Sequence, residues 1–168
     1  MFDELLAANR TYASHFELGG LPPRTARGFA LVTCMDTRID PLAILGLKPG
    51  DAKIIRNAGG RATPDAMRSL VLAVYFLGVT HIAVMHHTTC ALAGTTDEQV
   101  LGSIPEEQRA PLQGTRFLSM PDPDSALRED VETGRSHPGL PPGIQVEGWR
   151  YDVDSGLVQR LIGVPFPS

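Results

Sequence analysis

The sequence has few cysteines, no long apolar segment and no cluster of basic residues. Two cysteines among 168 residues are too few for a disulfide framework. The longest apolar run covers residues 70–77, far short of the ~20 residues that a membrane-spanning helix needs. A formal net charge of -4 argues against a nucleic-acid partner. We therefore expect a globular protein with neither nucleic acid nor membrane as a partner.

The first residues are acidic and amphipathic, which is unlike a secretory signal. This favours a cytoplasmic protein, and in a reducing compartment cysteines more often bind metals or take part in catalysis than form disulfides. A disulfide between Cys34 and Cys90 is the alternative. It would leave the polar residues His87, Asp36 and Arg38 near these cysteines without a role.

The length and the 42% hydrophobic content predict a single domain over residues 1–168. Predicted strands alternate with predicted helices through the first half of the chain, the strands at 28–34, 52–56 and 81–86 and the helices after Asp40 and Thr63. Such alternation predicts an α/β fold with a central, mostly parallel sheet flanked by helices. The second of these helices, which begins at Pro64, is apolar on both faces, so we expect it to be buried nearly all round.

Two further elements lie at the ends of the chain. Residues 1–20 are predicted to form an amphipathic helical arm, which is followed by a Pro-containing linker. Such an arm can pack on its own chain or across a dimer interface, and the sequence does not choose between them. Residues 144–161, with a turn at 154–156, are predicted to form a C-terminal β-hairpin.

The two cysteines and one histidine lie where predicted strands end. Cys34 closes the first strand, and His87 and Cys90 follow the third. Because open parallel sheets bind ligands at the carboxyl ends of their strands, the fold can bring these three residues together. Two thiolates and an imidazole are suitable ligands for zinc. Three protein ligands leave a fourth position for water or a nearby carboxylate, as in catalytic zinc sites.

Asp36 and Arg38 follow the first of these ligands closely. Asp36 comes two residues after Cys34 and projects to the same side if the chain stays extended. Its carboxylate can ligate zinc or accept a hydrogen bond from zinc-bound hydroxide. Arg38 can hold that carboxylate in a charge-assisted pair. The site is open to water when Arg38 engages Asp36, and shut when Asp36 ligates the metal.

Three segments, in this order and spacing, resemble the pattern of the β-class carbonic anhydrases. They are Cys-Met-Asp-Thr-Arg at 34–38, Arg-Asn-Ala-Gly-Gly at 56–60 and His-His-Thr-Thr-Cys at 86–90. The similarity runs from about residue 31 to residue 90. Each segment alone would be a weak signal, but together they are specific.

The resemblance implies a zinc site, an activity and an assembly. Zinc would be bound by Cys34, His87 and Cys90, with Asp36 and Arg38 as the catalytic dyad. The activity would be reversible hydration of carbon dioxide to bicarbonate and a proton, with a zinc-bound hydroxide as nucleophile. The assembly would be a homodimer or homotetramer in which the helical arm reaches over the partner subunit.

Three other positions carry predictions. Gly59 is a candidate substrate-lining residue, although a glycine there also suits a simple turn. Ala91 stands where the family usually has glycine after the second cysteine, so we expect backbone strain and a lowered rate. His86 is predicted to be a hydrogen-bonded core residue, because neighbouring residues on a strand face opposite sides.

Two alternative functions use the same residues. One is hydrolysis of a related small heterocumulene, carbon disulfide or carbonyl sulfide, at the same zinc site. The other is a catalytically silent zinc-binding protein, with its site silenced by Ala91 or by occlusion and its metal permanently ligated by Asp36. We favour the carbonic anhydrase because all three metal ligands and both residues of the dyad are present.

Overall fold

A five-stranded sheet forms the centre of the structure, a computed structural model that describes residues 1–163. The strands are β1 (Phe29–Cys34), β2 (Ala52–Asn57), β3 (His81–His87), β4 (Gln145–Tyr151) and β5 (Val158–Ile162). Their order across the sheet is β2-β1-β3-β4-β5. All neighbouring pairs are parallel except β4 and β5, which form an antiparallel hairpin. The predicted α/β class and the C-terminal hairpin are therefore confirmed.

In the described part of the chain, six α-helices and two short 3₁₀ turns connect and flank the strands. The helices are α1 (Phe2–Ser14), α2 (Pro41–Ile44), α3 (Pro64–Leu77), α4 (Asp97–Gly102), α5 (Glu106–Arg109) and α6 (Pro123–Ser136). The 3₁₀ turns are Ala58–Gly60 and Ala110–Leu112. Within residues 1–163, no helix has both the length and the apolar character to cross a lipid bilayer.

Strand β1, which lies between β2 and β3, is buried on both faces, as its apolar sequence predicts for a strand covered on both sides. Its one buried hydroxyl, on Thr33, donates a 2.9 Å hydrogen bond to the carbonyl oxygen of Met85 on β3. The register pairs Thr33 with Met85. Cys34, at the end of β1, therefore lies beside the end of β3, where His87 is the last residue.

Helices cover both faces of the sheet. On one face, α3 and α6 contribute Met67, Leu70, Leu127 and Val131 to a core that also contains strand residues of β1, β3 and β4. On the other face, Ile44 at the end of α2 packs against a second cluster, which includes Cys34 and Cys90. The two candidate thiol ligands, Cys34 and Cys90, therefore belong to an apolar core.

Helix α3 begins and ends where its sequence predicts. The side chain of Thr63 caps the backbone N–H of Ala66, and Gly78 ends the helix in a left-handed conformation, with φ 77°. The expectation that α3 is buried nearly all round is wrong for the single chain. Tyr75 and Phe76 are 59% and 70% exposed, because a helix that packs on one sheet buries only the face that meets the strands.

The predicted N-terminal arm is present as α1, which ends at Ser14, before the predicted stop at residues 19–20. None of its residues is buried. Its large apolar side chains are exposed, among them Phe2, Leu5, Leu6 and Tyr12. The arm therefore does not pack into the core of its own chain.

Candidate metal centre

The three predicted ligands meet at the carboxyl ends of β1 and β3. Cys34, His87 and Cys90 each offer one ligand atom, and these atoms all lie within 4.8 Å of one another. All three residues are buried. Both cysteines are free thiols, so the structure does not contain the alternative disulfide. The sheet thus brings together residues from two separate parts of the sequence.

The hydrogen bonding of His87 leaves one ring nitrogen for a metal. Its Nδ1 lies 2.8 Å from the carbonyl oxygen of Thr88, and because a carbonyl can only accept, Nδ1 carries the proton. The Nε2 atom is then the unprotonated one, and it is buried without a hydrogen-bond partner. Such an atom is costly to bury, and a cation between Nε2 and the two sulfurs would satisfy it. This donor set fits zinc.

The pKa values of the two thiols are shifted in opposite directions. The Cys90 thiol donates a hydrogen bond to the Cys34 sulfur, which is the main cause of a strongly lowered pKa of Cys34. Backbone N–H groups of Asp36 and Gly59 lower it further, against an opposing effect of burial. The pKa of Cys90 is raised, first because it donates to Cys34 and second because it is buried. One thiolate is therefore already favoured, and binding of a divalent cation would release the second proton.

Asp36 and Arg38 form a closely paired carboxylate and guanidinium beside the three ligands. Arg38 Nε lies 2.9 Å from Asp36 Oδ1, and Arg38 Nη2 lies 2.7 Å from Oδ2. The backbone N–H of Arg38 also donates to Oδ1. These hydrogen bonds from Arg38 hold the pKa of Asp36 well below its usual range. The Oδ2 atom lies 3.9 Å from His87 Nε2, so the carboxylate reaches the edge of the metal centre.

Arg56 orders the backbone between Cys34 and Asp36. Its Nε donates to the carbonyl oxygen of Cys34 at 3.0 Å, and its Nη2 donates to the carbonyl oxygen of Asp36 at 2.7 Å. Sequence reasoning quoted Arg56 only as a member of the family pattern and gave it no role. Its place at the end of β2, the neighbour of β1, was the available signal.

The glycines after β2 lie directly against Cys34. The backbone of Gly59 contributes to the lowered pKa of the Cys34 thiol, and Gly59 has a φ of 78°, which favours glycine. Gly60 is the more demanding position, because a Cβ there would lie 2.9 Å from the backbone nitrogen of Cys34. Sequence reasoning singled out Gly59 and missed Gly60. A substrate-lining role of Gly59 stays a prediction.

The strain expected at Ala91 lies at Thr89 instead. Among residues 1–163, the only non-glycine residues with positive φ are Thr89, at 51°, and Leu118, at 58°. Ala91 is therefore compatible with its backbone, and the expectation that it is strained is wrong. A left-handed conformation costs a β-branched residue about 1–2 kcal/mol, and Thr89 lies between the two ligands His87 and Cys90.

A buried charged cluster supports the site from behind. Asp130 on α6 accepts from Arg61 Nε at 2.7 Å and from the backbone N–H of Ala62 at 3.0 Å. His86 Nε2 lies 3.0 Å from the same carboxylate. His86 is buried and hydrogen-bonded, as predicted. Asp130 thereby ties together β3 and the segment that follows Gly60, and sequence reasoning gave no role to Asp130 or Arg61.

The chain is similar to known carbonic anhydrases. The family model for carbonic anhydrase matches residues 29–110. The chain is 35% identical to β-carbonic anhydrase 1 of Mycobacterium tuberculosis, over 95% of this chain and 96% of that protein. It is also 34% identical to a carbon disulfide hydrolase of an Acidianus species, over 77% of this chain and 75% of that protein.

A solved structure of a carbonic anhydrase from Streptococcus mutans shares the fold. It superimposes with a TM-score of 0.89 at 36% identity, over 95% of this chain and 96% of that chain. The chain thus belongs to the β-class carbonic anhydrase family. It is an enzyme of that family, which makes it a lyase.

Proposed function

We propose that the protein catalyses the zinc-dependent, reversible hydration of carbon dioxide to bicarbonate and a proton. The observation that carries this proposal is the arrangement of three buried ligand atoms within 4.8 Å, beside a carboxylate held by an arginine. Cys34, His87 and Cys90 would hold the zinc. When bound, zinc supplies a nucleophile at neutral pH by lowering the pKa of a water molecule.

Asp36 would orient that nucleophile. Because Arg38 holds the pKa of Asp36 low, the carboxylate is ionised at neutral pH and can only accept hydrogen bonds. An acceptor at this place binds the O–H of a water or hydroxide and so turns an oxygen lone pair toward the substrate. Arg38 occupies both carboxylate oxygens, which keeps Asp36 from acting as a fourth ligand.

Hydrolysis of carbon disulfide or carbonyl sulfide is the second candidate. It is favoured by the similarity to a carbon disulfide hydrolase. These substrates, like carbon dioxide, are linear molecules with an electrophilic carbon, and the same nucleophile can attack all three. A substrate panel separates them, since a carbon dioxide hydratase would prefer carbon dioxide by a large factor in kcat/KM.

The catalytically silent alternative has less support. It requires Asp36 to be permanently on the metal, whereas Arg38 holds both of its carboxylate oxygens. It also drew on strain at Ala91, which has no positive φ.

We propose that the assembly is a homodimer or homotetramer. The support is the apolar surface that the single chain leaves in solvent, on α1 and on the outer face of α3. Location in the cytoplasm and a single domain over residues 1–168 stay predictions.

Stopped-flow measurement of carbon dioxide hydration tests the activity. We expect the zinc-loaded protein to be active, chelation to abolish the activity and added zinc to restore it. Asp36→Ala should lower kcat by about 100-fold while zinc remains bound, because it removes the orienting carboxylate but no metal ligand. Activity that persists after complete zinc removal, or an Asp36→Ala variant with unchanged kcat, would contradict the proposal.

A further inference from the structure

Thr89 has a strained backbone in the middle of the metal centre. Its φ of 51° is a genuine outlier for a β-branched residue. It lies between His87 and Cys90, and the neighbouring Thr88 is anchored to β4 by a 2.9 Å hydrogen bond from its N–H to the carbonyl oxygen of Tyr151. Backbone strain that the surroundings maintain often marks a functional contact. A function of Thr89 would therefore lie in the contacts that its polar groups make.

The hydroxyl and the backbone carbonyl of Thr89 both accept hydrogen bonds from Arg38. Arg38 Nη1 lies 3.0 Å from Thr89 Oγ1, and Arg38 Nη2 lies 3.2 Å from the Thr89 carbonyl oxygen. On its other side the same guanidinium donates to Asp36. Arg38 thus bridges the loop after β1, which follows Cys34, and the loop after β3, which joins His87 to Cys90.

Thr89 gives the pair of Arg38 and Asp36 a second support, on the other side of the guanidinium. The Arg38 side chain is 46% exposed, and an exposed ion pair alone contributes little because water and salt compete with it. A guanidinium is planar and carries its donors in a fixed fork. With Asp36 on one side and Thr89 on the other, the plane and position of that fork are both set.

We propose that Thr89 is a positioning residue that holds Arg38 against Asp36. It thereby keeps the Asp36 carboxylate in its orienting place and stops it from turning onto the three ligand atoms. The strained backbone aims both the hydroxyl and the carbonyl of Thr89 at one guanidinium. The catalytic part of this inference rests on the proposed function, but the tether itself is a statement about side-chain contacts.

Three substitutions at Thr89 separate positioning from stability. Thr89→Val keeps the β-branched shape and removes the hydroxyl, and Thr89→Ser keeps the hydroxyl. Thr89→Gly removes the hydroxyl and suits the positive φ. Thr37→Val is the matched control, because Thr37 is exposed and precedes Arg38 without belonging to the site.

We expect Thr89→Val to lower kcat about five-fold, with KM unchanged, through the loss of one hydrogen bond to a partly exposed charged group. Thr89→Ser should retain wild-type kcat, and Thr37→Val should do the same. Thr89→Gly should lose at least as much kcat as Thr89→Val while its melting temperature stays equal to that of the wild type or rises. A residue with a merely structural role would lose melting temperature and activity together.

Crystal structures of metal-free wild type and Thr89→Val give a readout that needs no activity. We expect Arg38 to leave its single orientation in the variant and its contacts with Asp36 to lengthen or split between conformers. Unchanged Arg38–Asp36 contacts in Thr89→Val would overturn the inference, and so would a Thr89→Gly variant that keeps full kcat. If the wild type does not hydrate carbon dioxide but Arg38 is released in the variant, the proposed function fails and the tether stands.

Discussion

The candidate metal centre and the exposed apolar faces of α1 and α3 differ in how their side chains are satisfied. At the ends of β1 and β3, several polar groups are buried and most of them are paired, and the exceptions are His86 Nδ1 and His87 Nε2. On α1 and the outer face of α3, large apolar side chains are exposed, such as Leu6 at 58% and Phe76 at 70%. One region buries polar atoms, and the other exposes apolar ones.

This difference indicates what kind of binding partner would stabilise each region. A buried nitrogen lone pair beside two sulfurs is stabilised by a soft cation. Exposed aromatic and aliphatic side chains are stabilised by another apolar surface. The two regions should therefore respond to substitution in different ways. Changes at the strand ends should remove metal and activity, and changes on the helices should alter the assembly.

The largest effect is expected from loss of a ligand. Cys90→Ser replaces a thiolate with a hydroxyl, which is a poor zinc ligand at neutral pH. We expect less than stoichiometric zinc after dialysis and carbon dioxide hydration at the level of the uncatalysed reaction. Metal analysis and stopped-flow assays measure both quantities on the same sample.

Ala91→Gly is the control for Cys90→Ser. It changes the neighbouring residue to the one that the family usually has, at a position without positive φ. We expect zinc content and kcat within about two-fold of wild type, because no strain is relieved. A large gain in kcat would show that Ala91 limits the rate after all, and full zinc occupancy in Cys90→Ser would remove Cys90 from the ligand set.

A smaller effect is expected behind the metal centre. Asp130→Ala removes the buried carboxylate that pairs with Arg61 at 2.7 Å, where the two side chains are only 7% and 6% exposed, and leaves Arg61 with the longer, 3.5 Å contact to the exposed Glu129. Removing one partner of a buried pair should lower the free energy of unfolding by about 3 kcal/mol. Chemical denaturation at fixed protein and zinc concentrations measures this change.

The matched control is Asp65→Ala, in an exposed pair with Arg68 whose side chains are 78% and 64% exposed. It should change the free energy of unfolding by less than about 0.5 kcal/mol. Equal changes in the free energy of unfolding for the two substitutions would mean that Asp130 does not stabilise the buried cluster.

The sequence predicted that the three candidate ligands lie close together, because each stands at a local signal. Cys34 closes an apolar strand, and His87 and Cys90 lie at or just after the end of another, so residue type and strand position were enough for that prediction. The buried cluster had no such signal, because Asp130 meets Arg61 and His86 across 69 and 44 positions of the sequence. Charged residues at such separations look like ordinary surface residues until the packing of α6 on the sheet is known.

Backbone conformation was also beyond the sequence. Which of Gly59 and Gly60 approaches Cys34 most closely depends on the turn after β2, and the strain expected at Ala91 lies two residues earlier, at Thr89. The prediction that α3 is buried nearly all round was wrong for another reason. An apolar sequence on both faces is the same whether its own chain or a second copy covers the outer face, and the periodicity cannot distinguish the two.

Phe76→Ser tests the second region and should have the smallest effect on the single chain. Its side chain is 70% exposed, so replacing it should leave the free energy of unfolding of a monomer within about 0.5 kcal/mol. If a second copy covers the outer face of α3, the substitution instead weakens the assembly, and light scattering coupled to size exclusion should show a shift toward monomer at micromolar concentration. Leu157→Ser is the control, because Leu157 is 55% exposed next to β5 rather than on a helix. We expect the wild-type assembly for Leu157→Ser, and an unchanged mass for Phe76→Ser would place the interface elsewhere than on α3.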